Sequence, residues 1–338
     1  MTLPLLQRTR GLGVIYSETD PAAKPTLDAA FNETIASGAD SYQLAVTWAS
    51  LETSPGVIDI SSLVTLLDTV QSAGLTPYLA IKTIDTVPLA IPGDLIDPND
   101  NTSFVAGKSF DDAEVIARFE ALLDAVVPAL VARGGFFVSV GNEIDDWIGA
   151  HPAERTPFLN FLTAARARVQ SLDARLAVGA TLTHKVFATD PTLFNEVRDR
   201  SDAVAMNYYP LDSGAVRSPT VVATELAAVV TACGDRPLLI QEAGYPSGSL
   251  NGSDEAMQRD FVEQLFLFAA SEPKVRFLSL LHLADHTSSS VQFFQTYYGT
   301  SDPQFVEFIA TLGLRESDGT VKLAYPALLN GLQAAKTP

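Results

Sequence analysis

Eight short apolar runs, each followed by a polar loop and then a longer stretch of helical period, restrict this chain more than any other feature. The runs cover residues 11–16, 41–47, 76–81, 136–140, 176–180, 203–206, 238–241 and 277–281. Near-continuous apolarity is what a parallel strand covered on both faces requires, where a half-exposed strand would alternate. Between the runs the period changes. Ile116, Phe119, Leu123, Val126 and Leu130 recur at intervals of three and four, behind Asp111, Asp112 and Glu114. Carboxylates at that end suit the helix dipole. Pro128 falls inside the pattern and is expected to kink the helix, because it removes a backbone donor. Met257, Phe261, Leu265 and Phe268 mark a second helical stripe. Strand and helix in strict alternation demand right-handed crossovers and a parallel sheet, either an open doubly wound layer or a closed barrel. The count of eight, the length of 338 residues and the lack of GxGxxG after the first run favour an α/β fold, a single (β/α)8 TIM barrel. Nothing between Gly11 and Leu332 reads as a linker, so residues 1–338 are expected to form one domain.

Composition narrows the function. Hydrophobic residues reach 47% and charged ones only 18%, ample for a large core. Against 22 basic side chains stand 40 acidic ones, a formal charge of −18. Such a surface repels phosphate backbones and anionic lipid, which argues against nucleic acid or membrane partners. No apolar run is long enough to span a bilayer. Cys233 is the sole cysteine, and the four histidines show neither CxxC nor HExxH spacing, so no intrachain disulfide and no metal site are expected. These limits leave an acidic globular protein, expected to be a monomer and to act on something neutral or cationic. Residues 1–10 hold only a brief Leu-Pro-Leu-Leu stretch, too short for a secretory core of about 7–15 residues. Localisation stays open, with a secreted or periplasmic home after removal of a leader slightly favoured over a cytoplasmic one. The Asn-x-Ser/Thr triplets at Asn32, Asn101 and Asn251 are no more than chance supplies.

In a barrel of this kind the reactive groups stand at the C-terminal ends of the strands. After the fourth run comes Val140-Gly141-Asn142-Glu143-Ile144-Asp145, and after the seventh Ile240-Gln241-Glu242-Ala243-Gly244-Tyr245-Pro246. Each run carries a glutamate to the rim. Breaking a glycosidic bond needs one carboxyl group to protonate the departing oxygen and a second, ionised, to meet the positive charge at the anomeric carbon. Carboxyl groups about 5–5.5 Å apart would act with retention of configuration.

At these residues the chain resembles the retaining glycoside hydrolases of clan A, barrel enzymes with catalytic glutamates after strands four and seven. The resemblance implies that Glu143 is the general acid/base and Glu242 the nucleophile. Asn142 would then hydrogen-bond the sugar 2-hydroxyl. An aromatic after strand six would hydrogen-bond the nucleophile, and Asn207-Tyr208-Tyr209-Pro210 stands there. Tyr209 is favoured for that role over Tyr208. Many clan members carry an arginine on strand two, five residues before a tryptophan; here Gln43 takes that place before Trp48. Glutamine donates a hydrogen bond without a charge. That departure supports a rival reading, a weakly active or inactive carbohydrate-binding barrel. The segments at 207–210 and 242–247 are loosely similar to the endo-β-1,4-galactanase and endo-β-1,3-glucanase branches. The resemblance implies a β-glycanase, endo- or exo-acting with endo favoured, that cleaves a neutral poly- or oligosaccharide with its carboxylate pair and no cofactor.

Other rim residues invite a sugar-binding reading. Trp48, Trp147 and Tyr245 follow predicted strands, where aromatic planes serve as subsite walls or simply pack in loops. His282, with Asp285 and His286, follows strand eight, where many clan members place an aromatic platform. His184 follows strand five. Lys82 and Asp85 follow strand three and either pair with each other as a structural link or, the slightly favoured reading, face substrate. His151 and Cys233 read as structural bystanders.

Overall fold

The structure, a computed structural model, describes residues 11–18 and 20–335. The brief leader-like stretch of residues 1–10 lies outside them. All eight apolar runs are strands. They are β1 (Gly11–Ile15), β2 (Ser41–Thr47), β3 (Thr76–Asp85), β4 (Phe137–Asn142), β5 in two pieces (Ala177–Gly179 and Thr181–Thr183), β6 (Val204–Tyr208), β7 (Leu238–Ala243) and β8 (Val275–Leu281). The helices between and after them are α1 (Leu27–Ala36), α2 (Ser61–Ser72), α3 (Ala113–Ala132), α4 (Ile144–Ala150), α5 (Arg155–Leu172), α6 (Pro191–Arg200) and α7 (Val222–Ala232). After β7 follow α8 (Glu255–Ser271), α9 (Ser288–Tyr298), α10 (Pro303–Ala310) and α11 (Ala324–Ala334). None of the helices among the described residues is long and apolar enough to cross a membrane.

The described chain divides into two compact units, and the strands β6 and β7 run from one into the other. The first holds residues 41–207 and 233–241. Its strands β2, β3, β4 and the first piece of β5 pair in parallel and in that order. Gln43 lies opposite Tyr78, and Tyr78 opposite Phe137. The second piece of β5 pairs in parallel with β6, setting Thr183 opposite Asn207. The register between β3 and β4 shifts after Ile81, so that Asp85 comes to face Asn142. This irregularity lifts Lys82–Asp85 out of the plain ladder at the strand end.

Helix α3 starts where the acidic cluster predicts. Asp112 caps it by accepting from the Glu114 N–H, and Val115, Phe119, Leu122, Leu123, Val126, Val127 and Leu130 are buried. The helix continues through Pro128 to Ala132. Outside the sheet an aromatic cluster fills the core of this unit. Trp48 stacks on Phe161 at 6.2 Å and meets Phe119 edge-on at 5.0 Å. Trp147 meets Phe110, which in turn packs on Phe158 and Phe161. Ring pairs at such distances add about 0.5–1.5 kcal/mol each beyond their burial.

The second unit holds residues 11–40, 208–232 and 242–335. Strands β1 and β8 pair in parallel, Gly11 opposite Phe277 and Ile15 opposite Leu281. Helix α8 packs against α11. Asp254 caps α8 by accepting from the Met257 N–H, and Phe261, Leu265 and Phe268 of the expected stripe are buried. Asn251, one of the three glycosylation-like triplets, is fully buried, with its amide donating to the Gly214 and Gln304 carbonyls. It is out of reach of a glycosyltransferase.

Candidate active site

The first unit presents Glu143 at the end of β4. Its backbone is left-handed, φ 50° and ψ 46°, a conformation that costs a non-glycine residue about 1–2 kcal/mol. Thr86, after β3, is also left-handed at φ 61°, which is rarer still for a β-branched residue. These two strained residues meet: the Thr86 hydroxyl donates to Glu143 Oε2 at 2.7 Å. The other oxygen, Oε1, accepts from Asn207 Nδ2 at 3.0 Å. Burial pushes the Glu143 carboxyl upward, the two hydrogen bonds pull it back, and the nearby Asp146 and Asp85 push it further up. Burial wins, so the proton is held more tightly than on an ordinary glutamate.

Beneath Glu143 lies a buried amide network. Asn142 Oδ1 accepts from Gln241 Nε2 at 2.8 Å and from Asn207 Nδ2 at 3.2 Å. Gln241 Oε1 accepts from Thr181 at 2.7 Å and from the Tyr78 hydroxyl at 3.1 Å. Each residue comes from a different strand, and each amide is held by neighbours on both sides. Such a network fixes rotamers that would otherwise be free. Lys82 pairs with Asp85 at 2.9 Å, and Asp85 also receives the Asn142 amide at 3.4 Å. Of the two readings of Lys82 and Asp85, the pair is the one the structure contains.

Asp145, two residues beyond Glu143, is buried and accepts both the N–H and the hydroxyl of Thr183. Burial raises its carboxyl to about 7. The next residue, His184, is half-buried, and its N–H donates to the Asn207 carbonyl at 2.9 Å. Asp145 thus ties α4 to β5, and His184 ties β5 to the residue that hydrogen-bonds Glu143. Gln43 is buried, and its Oε1 has no hydrogen-bond partner among the described residues.

The second unit presents Glu242, half-buried, near the end of β7. Tyr209 donates its hydroxyl to Glu242 Oε2 at 2.8 Å. Gly244 lies under that tyrosine: a Cβ there would come within 2.8 Å of Tyr209 Cε1 and 2.5 Å of the Leu281 carbonyl oxygen. Only glycine admits both neighbours. Tyr208 points away into the core, fully buried, its hydroxyl on Glu225 at 2.9 Å. This separates the two tyrosines that the sequence left side by side.

Four expected sugar contacts lie in the packed interior instead. Trp48 has no exposed surface, and its indole N–H donates to Glu52 at 2.7 Å. Trp147 is buried, with its N–H on the Thr102 carbonyl at 2.8 Å and its ring stacked on His151. Tyr245 is buried against Phe261 and donates to the Arg217 carbonyl at 2.7 Å. His282 is buried between Tyr16 and His286. Its Nε2 accepts from the Ser17 N–H at 2.7 Å, which leaves Nδ1 as the donor to the Ala284 carbonyl. Both nitrogens are spent, and burial holds the ring well below the usual histidine range. A substrate role for these four needs a surface that they do not have. Thr86, Asn207, Gln241 and Asp145 are the site residues that the sequence did not single out. Asn207, placed one residue past the sixth apolar run, is the one whose position could have marked it.

No protein-family model and no curated protein matches the sequence. Similarity lies in the structure. A GH5_18 protein from Bifidobacterium longum subsp. longum, crystallised as a glutamate-to-alanine variant with Manβ1-4GlcNAc, superposes with a TM-score of 0.74 at 17% identity, covering 97% of this chain and 78% of that one. A GH5_18 protein from Streptomyces cattleya, also holding Manβ1-4GlcNAc, gives 0.74 at 17% identity over 97% and 81%. The exo-β-1,4-mannosidase Op5Man5 from Opitutaceae bacterium strain TAV5 gives 0.72 at 18% identity over 96% and 59%. The fold is therefore α/β, the TIM barrel of these similar structures.

Proposed function

We propose that the chain is a retaining β-glycoside hydrolase acting on a neutral oligosaccharide, with residues 1–338 as one catalytic domain. The observation that carries the reading is the setting of Glu143. It is a carboxyl group at the end of a parallel strand, held in a strained backbone by two hydrogen bonds, with its proton retained by burial. Glu143 donates that proton to the departing glycosidic oxygen. Glu242 attacks the anomeric carbon, and the Tyr209 hydroxyl, donating to its Oε2, orients it. Glu143 then deprotonates a water that opens the glycosyl ester, returning the original configuration. Asn142 supplies a hydrogen bond to the sugar ring. The two carboxylates carry the chemistry, and no cofactor is invoked.

Supporting a sugar as substrate, two of the similar structures hold Manβ1-4GlcNAc, and a third is named as an exo-β-1,4-mannosidase. An exo-acting neighbour weighs against the endo mode expected from sequence, and product sizes from longer chains decide it. Glu242→Ala is expected to lose turnover of a β-mannoside, with partial recovery on adding azide and an inverted product. Recovery with inversion at Glu143→Ala instead would exchange the two roles. Full activity in both variants would remove the reading. The non-catalytic barrel is favoured by one observation, the uncharged Gln43, and it predicts sugar binding without turnover by the unaltered protein.

A further inference from the structure

Beside Glu143 stands an ion pair, Asp146 with Lys185, that the proposed chemistry leaves idle. Asp146 lies three residues past Glu143 in the first turn of α4, and its N–H donates to the Glu143 carbonyl at 3.2 Å. Glu143 is the N-cap of that helix and Asp146 its third residue, the two places whose side chains meet in a capping box. The Asp146 carboxylate is held by Lys185, which follows β5. The same two elements are joined a second time, because Asp145 takes the N–H and the hydroxyl of Thr183. Asp146 is thus mounted at two points next to the carboxyl group that must hold a proton.

The pair is open to water, with 58% of the Lys185 side chain and 29% of the Asp146 side chain exposed. An ion pair so exposed does little for stability. Its placement suits another task. A negative charge fixed near a carboxyl group disfavours ionisation of that group, since two like charges would then stand side by side. The titratable groups around Glu143 are Asp85 with its partner Lys82 from β3, Asp145 and Asp146 from α4, and His184 and Lys185 from beyond β5. Asp146 is the foremost of the charges that push the Glu143 carboxyl up, ahead of Asp85. Lys185 opposes it only weakly, because its ammonium interacts more with Asp146 and Asp145 than with Glu143. We propose that Asp146, clamped by Lys185, is a positioning residue whose charge keeps the proton on Glu143 and so sets the highest pH at which the chain protonates a departing glycosidic oxygen. The inference rests on the reading of Glu143 as general acid.

The pH profile of kcat/KM for 4-nitrophenyl β-mannoside, taken on the full chain, tests it. Asp146→Asn keeps the shape and removes the charge, and is expected to move the alkaline limb to lower pH by about one unit. Adding Lys185→Met to Asp146→Asn removes both charges, and the limb should settle between those of the unaltered protein and the single variant. Asp146→Glu restores the charge and should bring the limb back to within about 0.3 unit of its original place. A limb that stays put in Asp146→Asn, with activity reduced evenly at every pH, would assign Asp146 to holding α4 and overturn the proposal. A measurement without substrate separates the proposal from the reading beneath it. The carboxyl carbon resonance of Glu143, identified by its absence in Glu143→Gln, should titrate about one unit lower in Asp146→Asn. No displacement of that titration overturns the proposal and leaves the acid role of Glu143 standing. Displacement of the titration with an unmoved limb removes Glu143 from the acid role, and the proposal falls with it. An unaltered protein that turns over no β-mannoside removes both.

Discussion

A general acid, the role proposed for Glu143, must hold its proton at working pH, and two opposing influences set how firmly. Burial raises the carboxyl, and the donors Thr86 and Asn207 lower it by stabilising the ionised form. Thr86→Val keeps the β-branched shape and removes one donor. The carboxyl should then rise further, moving the alkaline limb of kcat/KM to higher pH by about one unit. A limb moving to lower pH would mean that the hydroxyl acts otherwise. Asp145 makes a second prediction, on stability. Its folded value of about 7 lies above the unfolded 3.8, so the native state binds the extra proton between those values. The stabilisation that this proton brings is complete below about 4 and is lost as pH rises towards 7. Relative to Asp145→Asn, the unaltered protein should lose about 2 kcal/mol or more of unfolding free energy across that window, measured by urea titration at several pH values. Positions at the ends of apolar runs, such as Asn142, Glu143 and Glu242, are legible in sequence because the run itself sets where the strand stops. Trp48, Trp147 and Tyr245 follow strands just as closely and are packed away. The direction of an aromatic side chain depends on partners such as Phe161, Phe110 and Phe261, far off in sequence.

At the level of elements, the alternation of runs and helical stretches is read easily because burial on both faces leaves parallel strands little choice of composition. The α9–α10 hairpin is harder. Its apolar pattern resembles that of a buried helix, and only tertiary contacts reveal that Gln304 and Glu307 are the inward side chains. Those contacts give a prediction. Glu307→Ala leaves the Leu250 and Asn251 N–H groups without their acceptor, and removes the carboxylate packed on Gly248. Protection against hydrogen exchange should fall at residues 248–252 and along α10, while the amides of α8, with its buried Phe261 and Leu265, exchange as before. Loss of protection in α8 as well would mean that the hairpin is part of one cooperative unit with the helix layer.

For the whole molecule the excess of acid over base governs more than any single pair. Many of the cationic side chains are already committed: Arg118 to Glu52 and Asp94, Arg155 to Asp190 and Glu196, Arg217 to Asp212 and Glu225, and Lys322 to Asp285. What remains is a field of uncompensated carboxylates, a formal charge of −18 in all. Exposed ion pairs contribute about 0–1 kcal/mol each and act over a few ångström, so salt weakens them only a little. Repulsion among like charges reaches much further and is screened strongly once the Debye length shrinks from about 30 Å to about 8 Å. These effects have opposite signs, and the longer-ranged one should prevail. Raising sodium chloride from roughly 10 mM to roughly 150 mM is therefore expected to raise Tm at neutral pH by a few degrees. The same field bears on the proposed substrate, because an anionic polysaccharide would meet repulsion that a neutral one does not. A Tm that falls with added salt would show that the ion pairs outweigh the excess, and would withdraw the electrostatic reason for expecting an uncharged substrate.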